Sequence, residues 1–189
     1  LPFLIGGEHL VTLPAFRAVH EKYPDVAVIH FDAHTDLREE YLGNRLSHAT
    51  VIRRIWEIVG DGRIFQFGIR SGERAEWYWS AEGHTKIQKF SFAGLDETIA
   101  ALKGRPVYLT IDLDVLDPSC FPGTGTPEAG GVRFTDLLSA ALRTIRGCQI
   151  VGCDMVELSP PLDPSGTSTA TALKLLREML LALEKPYRK

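Results

Sequence analysis

Asp32, His34 and Asp36 alternate along the segment Asp32-Ala33-His34-Thr35-Asp36, and Asp112 and Asp114 alternate in Asp112-Leu113-Asp114. In an extended chain a period of two puts alternate side chains on the same side, so each set can address one target. Each set directly follows an apolar run, Val26 to Phe31 in one case and Val107 to Ile111 in the other. Two strand ends therefore carry carboxylates and an imidazole but no thiolate, a donor chemistry suited to hard or intermediate divalent ions. Two ions held close together by several carboxylates are what metal-assisted hydrolysis requires, because the metals generate the nucleophile from water. Either set alone also reads as turn or cap chemistry; the two together point to a two-metal hydrolase.

Two further runs end in polar residues. Leu1 to Ile5 is followed by Gly6-Gly7-Glu8-His9, and Gln149 to Val156 by Glu157. The glycine pair lacks the Lys-Ser or Lys-Thr of a phosphate loop and is no complete dinucleotide fingerprint; it reads as freedom for His9 to approach a metal. Asp112-x-Asp114 lacks the glycine and distal glutamate of a helix-loop-helix calcium site. Asp117 precedes Pro118 and reads as a turn residue. His20, His30 and His84 read as satisfied or solvated histidines. Trp77, Tyr78 and Trp79 read first as packing and second as a subunit interface, and Glu39 and Glu40 as a solvated loop face.

The elements that must position these residues are short apolar runs alternating with amphipathic stretches, the pattern of βα units and a parallel sheet. Strands are predicted at Leu1 to Ile5, Val26 to Phe31, Arg63 to Ile69, Thr85 to Phe90, Val107 to Ile111 and Gln149 to Val156. Helices are predicted at Thr12 to Tyr23, Ser47 to Val59, Arg74 to Ala81, Leu95 to Leu102, Thr135 to Thr144 and Ser168 to Leu183, with Thr135 and Ser168 as N-caps. The fold class is α/β, and residues 1–189 read as one catalytic domain. In open parallel sheets ligands bind beyond the carboxyl ends of the strands, where all the candidate residues fall. The glycine- and proline-rich stretch Asp117 to Val132 reads as a shaped active-site loop.

With 44% hydrophobic and 24% charged residues, the 189-residue chain has the composition of a globular enzyme. A net charge of −3 argues against nucleic acid or an anionic membrane surface as partner and is compatible with a cationic substrate. Cys120, Cys148 and Cys153 lack metal or redox spacing and read as reduced packing residues of a cytoplasmic protein. No run is long enough to span a bilayer and no signal peptide opens the chain. Leu1 to Ile5, continuously apolar at the very start, reads as an interior strand whose native N-terminal neighbours precede it.

The motifs Gly6-Gly7-Glu8-His9, Asp32-Ala33-His34-Thr35-Asp36, Ser47-His48-Ala49-Thr50, Asp112 to Pro118 and Gly123-Thr124-Gly125-Thr126-Pro127, in this order, resemble the signature set of the ureohydrolase family, the binuclear manganese enzymes that include arginase and agmatinase. Ser47 to Thr50 followed by Ile52-Arg53-Arg54, and Asp154-Met155-Val156-Glu157-Leu158-Ser159-Pro160-Pro161, are similar to the agmatinase branch. Leu10 stands where many relatives have Ser, and Ala49 where many have Gly; neither is a ligand position.

The resemblance implies a three-layer α/β/α fold with a mostly parallel central sheet and two Mn2+ ions. One ion would be held by His9, Asp32, Asp36 and Asp112, the other by His34, Asp32, Asp112 and Asp114. It implies hydrolysis of a small cationic guanidino compound: agmatine to putrescine and urea, or alternatively guanidinobutyrate or arginine. A non-catalytic polyamine-binding or regulatory role is the reading from another class. Glu157 would pair with the guanidinium, Asp114 would stabilise the intermediate and pass on a proton, His48 would shuttle protons, and Thr126 would touch the substrate. A homo-oligomer, trimer or hexamer, is implied as well.

Overall fold

The computed structural model describes residues 1–184. Its strands are β1 (Phe3–Ile5), β2 (Ala27–Phe31), β3 (Ile64–Ile69), β4 (Lys86–Lys89), β5 (Pro106–Asp112) and β6 (Gln149–Val156). Its helices are α1 (Thr12–Lys22), α2 (Val51–Val59), α3 (Arg74–Trp79), α4 (Leu95–Ala101), α5 (Phe134–Gly147) and α6 (Thr167–Leu183). All neighbouring strands pair in parallel, in the order β1-β6-β5-β2-β3-β4. Every residue of β2, β3 and β5 is buried, as expected of parallel strands covered on both faces.

Alternation along the strands sorts the core into two layers. Ile29, Phe31, Leu109 and Ile111 pack with Leu137, Ala141, Ile145, Leu175 and Met179 of α5 and α6. Val28, Ile64 and Tyr108 pack on the other face with Leu13, Phe16, Val51, Ile52 and Ile55 of α1 and α2. The chain is thus a three-layer α/β/α molecule with a parallel central sheet, as its sequence pattern and the family resemblance lead one to expect. No described helix is long and apolar enough to cross a membrane.

From β2 the chain winds outward to β3 and β4, then returns to the other side of β2 to lay down β5 and β6. The strand order therefore reverses between β2 and β5, the crevice where doubly wound sheets bind ligands. Phe31 lies in register with Ile111, and Ile111 with Met155, so Asp32, Asp112 and Val156-Glu157 emerge side by side.

Some boundaries differ from the sequence reading. The predicted helix Ser47 to Val59 is a 3-10 turn at His48–Thr50 running into α2, and the helix expected to end at Ala81 passes at Ser80 into a wider π-type turn. Neither expected cap is correct: Arg133 caps α5 and Gly166 caps α6, which puts Thr135 and Ser168 inside the first turns. Ser168 is drawn in because its hydroxyl accepts the Gly123 N–H at 2.8 Å while its own N–H goes to Asp163 Oδ2 at 2.7 Å. Among the described residues β1, read as an interior strand, pairs only with β6 and lies at the sheet edge.

Candidate metal centre

Each acidic loop organises itself before it meets the others. After β2, Asp32 Oδ1 accepts the His34 N–H at 2.6 Å, and Asp36 turns left-handed at φ 53°. A non-glycine residue there is strained backbone of the kind that collects at functional sites. After β5, Asp112 Oδ1 accepts the Asp114 N–H at 2.9 Å and so caps the 3-10 turn Leu113–Val115. Asp114 Oδ1 then accepts the Ala33 N–H at 3.1 Å, which ties the two loops together. After β6, Glu157 is left-handed at φ 65°, donates its N–H to Gly7 O at 2.9 Å and accepts the His9 N–H on Oε1 at 2.6 Å. Gly6 is there for packing, since a Cβ would meet Val11 Cγ2 at 2.5 Å and Val156 Cγ1 at 3.0 Å; Gly7 has open space around it.

The six expected ligands converge. His9 Nδ1 lies 3.2 Å from Asp32 Oδ2, 3.0 Å from Asp36 Oδ2 and 3.2 Å from Asp112 Oδ2. His34 Nδ1 lies 3.0 Å from Asp114 Oδ2 and 3.4 Å from Asp32 Oδ1. Two groups of donors result, one on His9 and one on His34, and both use Asp32. His9 Nδ1 is buried and none of these contacts has hydrogen-bond geometry, so the nitrogen has no partner within the protein. A buried imidazole nitrogen and three carboxylate oxygens aimed at one another without hydrogen bonds is a donor set that fits a divalent cation.

The electrostatics agree. Burial and the neighbouring Asp32 push the Asp36 carboxyl up to about 7. Burial and nearby carboxylates likewise raise Asp112 and Asp114. Asp32, although burial opposes its charge, is held well below the ordinary range by His30, His34 and His9. His34, against the effect of burial, is pushed up to about 12 by Asp114 and Asp32. Protons thus take the place of part of the positive charge that this cluster is built to hold.

Above the donors opens a cavity of about 420 Å³ whose lining includes His9, His34, His48, Thr126, Glu128 and Glu157. His48, on its 3-10 turn, is two-fifths exposed, with its ring 5.3 Å from Tyr41 and Nδ1 3.8 Å from Glu8 Oε2. Thr126 Oγ1 donates to Asp114 Oδ2 at 3.4 Å. All nine residues singled out as ligands, catalytic groups or substrate contacts therefore meet at one place. Asp117 does not join them: its carboxylate accepts N–H groups from Ser119, Gly130 and Gly131, and these hold it down at about 2. His84 bonds Asp61 at 2.7 Å and stacks on Trp79, remote from the cavity.

Three supports escaped the sequence reading. Thr110 Oγ1 lies 3.0 Å from His9 Nε2. His30, fully buried, reaches Asp32 Oδ2 at 2.7 Å. Its signal was present, since the period of two that joins Asp32 to His34 runs back to His30. Arg70 gives bonds to the carbonyls of Gly68, Asp114, Val115, Leu116 and Glu128, pinning the ligand turn and the glycine-rich loop to the end of β3. Backbone partners leave no trace in a sequence pattern.

The fold and site define an α/β protein with two linked carboxylate–imidazole donor clusters at the switch point of a parallel sheet. The chain belongs to the arginase family, whose model matches residues 1–182. An agmatinase of Bacillus subtilis (strain 168) is 48% identical over 186 residues, covering 97% of this chain and 64% of that protein. A guanidinobutyrase of Pseudomonas aeruginosa is 38% identical over 197 residues, covering 97% of this chain and 60% of the other. A Clostridium difficile crystal structure, provisionally named an agmatinase, superposes with a TM-score of 0.95 at 56% identity, over 98% of this chain and 68% of that one. The chain thus spans less than two thirds of the length of these curated relatives.

Proposed function

We propose that this protein hydrolyses the guanidinium group of agmatine, giving putrescine and urea, at a pair of manganese ions held by His9, Asp32, Asp36 and Asp112 on one side and His34, Asp32, Asp112 and Asp114 on the other. The observation that carries this reading is the convergence of His9 Nδ1 on three carboxylate oxygens at 3.0–3.2 Å beneath a cavity that also holds Glu157. When bound, such ions supply Lewis acidity that brings the ionisation of water close to neutral pH. The family and the activities named for its agmatinase members support the same reading.

The chain's own groups then have distinct tasks. Glu157 Oε1 is occupied by the His9 N–H, so Oε2 is the oxygen that pairs with the substrate guanidinium by charge-assisted hydrogen bonds. Burial raises the Glu157 carboxyl, and pairing with a cation restores its charge. Asp114, braced by the Ala33 N–H and the Thr126 hydroxyl, is placed to hold the proton that the departing amine takes up. His48, partly exposed at the rim beside Glu8, suits proton exchange with solvent. Glu128 on the cavity wall favours an ammonium tail over a carboxylate tail, since Arg38, the cation nearby, is already paired with Glu73 at 3.1 Å.

A cytoplasmic homo-oligomer is the setting we propose. Buried, unpaired Cys148 and Cys153 agree with a reducing compartment, and exposed Leu173, Leu180 and Leu181 on α6 offer subunit contacts. Urea release by the manganese-loaded protein from agmatine, guanidinobutyrate and arginine tests the substrate. The largest kcat/KM is expected with agmatine; preference for guanidinobutyrate or arginine would replace it with that substrate, and no urea from any of them would leave a non-catalytic binding role.

A further inference from the structure

His30 Nε2 lies close enough to the donor cluster to pass for a ligand, since it groups with His9, Asp32 and Asp36. Its partners decide otherwise. Gln66 Nε2 donates to Thr35 O at 2.8 Å and lies 3.0 Å from His30 Nδ1. The Thr35 carbonyl fixes the amide orientation: reversed, Gln66 would set its oxygen against that carbonyl oxygen and lose this bond. The amide nitrogen therefore faces His30, and His30 Nδ1 is the acceptor. In a neutral imidazole the other nitrogen must then carry the hydrogen, so Nε2–H donates to Asp32 Oδ2 at 2.7 Å. Gln66, His30 and Asp32 are all fully buried, so no water competes for these bonds.

We propose that Gln66 and His30 form a buried positioning pair that sets the rotation of the shared ligand Asp32 and leaves His30 outside the ligand set. Asp32 Oδ1 is held by the His34 N–H at 2.6 Å and Oδ2 by His30, so the carboxylate that serves both donor groups is restrained at each oxygen. A shared ligand needs such restraint more than the others, because a rotation that improves one cation's geometry spoils the second's. The inference rests on the two-cation reading of the site.

Manganese binding to the metal-free, full-length protein, followed by the electron paramagnetic resonance of the free ion, gives the first readout. Wild type is expected to take two ions. His30→Phe keeps the volume but removes the donor, and affinity should fall by roughly 10- to 100-fold. His30→Gln, which restores an N–H near the Nε2 position, should recover most of that loss. Unchanged affinity in His30→Phe, or no recovery in His30→Gln, would overturn the inference, whereas failure of wild type to bind manganese would instead remove the two-cation reading beneath it. Should His30→Phe fail to fold, ring-nitrogen NMR of the wild type loaded with diamagnetic cadmium decides. Nε2 of His30 should stay protonated, and a deprotonated Nε2 coupled to cadmium would make His30 a ligand.

Discussion

Asp112 and Asp117 lie five residues apart in one acidic segment, yet they do different work. Asp112 faces His9 in the buried donor set, while Asp117 holds the turn at Gly130 and Gly131. Asp112→Ala should lose most of its bound manganese and Asp117→Ala should keep it; equal metal content in the two would refute the ligand assignment. Glu157 and His48 separate binding from proton transfer. Glu157→Gln keeps the shape but removes the charge that meets the guanidinium, so KM should rise and kcat fall with the metals in place. His48→Asn should lower kcat with little change in KM, and full activity between about pH 7 and 9.5 would sink its shuttle role. Asp112 was legible as a candidate ligand because it alternates with Asp114 directly after an apolar run, and Glu157 because it ends another such run, whereas His48 has no such pattern and entered only through the family resemblance. His30 was legible in principle by the same spacing, but an imidazole inside a buried strand looks like core until its partners are seen.

At the level of elements, the ligand turn Leu113–Val115 and the glycine-rich loop are held to the sheet chiefly by Arg70, which feeds five backbone carbonyls. Charged donors to carbonyls are worth more than neutral ones, and removing Arg70 takes a donor from each of these acceptors. Arg70→Met should cost on the order of 2–4 kcal/mol in urea denaturation and weaken cation binding at the His34 donor group. Arg70→Lys should not rescue it, because one ammonium cannot span the fork. A Met variant as stable as wild type would show that the loop holds its own shape. The strand and helix series was readable because alternating and helical periods are written in side chains. The caps of α5 and α6 were not, because Arg133 and Gly166 compete with better capping types nearby, and the tertiary bonds of Ser168 to Gly123 and Asp163 settle that boundary.

For the whole molecule, the reversal of strand order between β2 and β5 makes one crevice out of loops from four strands, and the charge gathered there couples stability to pH and metal. Asp36, pushed up from 3.8 to about 7, binds a proton in the folded state that the unfolded chain has already released, so its contribution falls as pH rises from about 4 to 7. His34, pushed up from 6.5 to about 12, contributes fully below its ordinary value and loses that contribution as pH climbs toward 12. Asp32, held below 3.8, titrates beneath this window. Both trends lower the stability of the metal-free protein toward alkaline pH, and a divalent ion takes the place of the lost protons. The rise in Tm on adding manganese should therefore be larger at about pH 8 than at about pH 5.5, and the opposite order would contradict the charge balance described for the cluster. The central claim, a two-manganese guanidino hydrolase acting on agmatine, is tested most directly by titrating metal-free, full-length protein with manganese while measuring both products. Urea and putrescine should appear in equal amounts and reach their maximal rate at two ions per chain; absence of urea with both ions bound, or full activity with one, would contradict it.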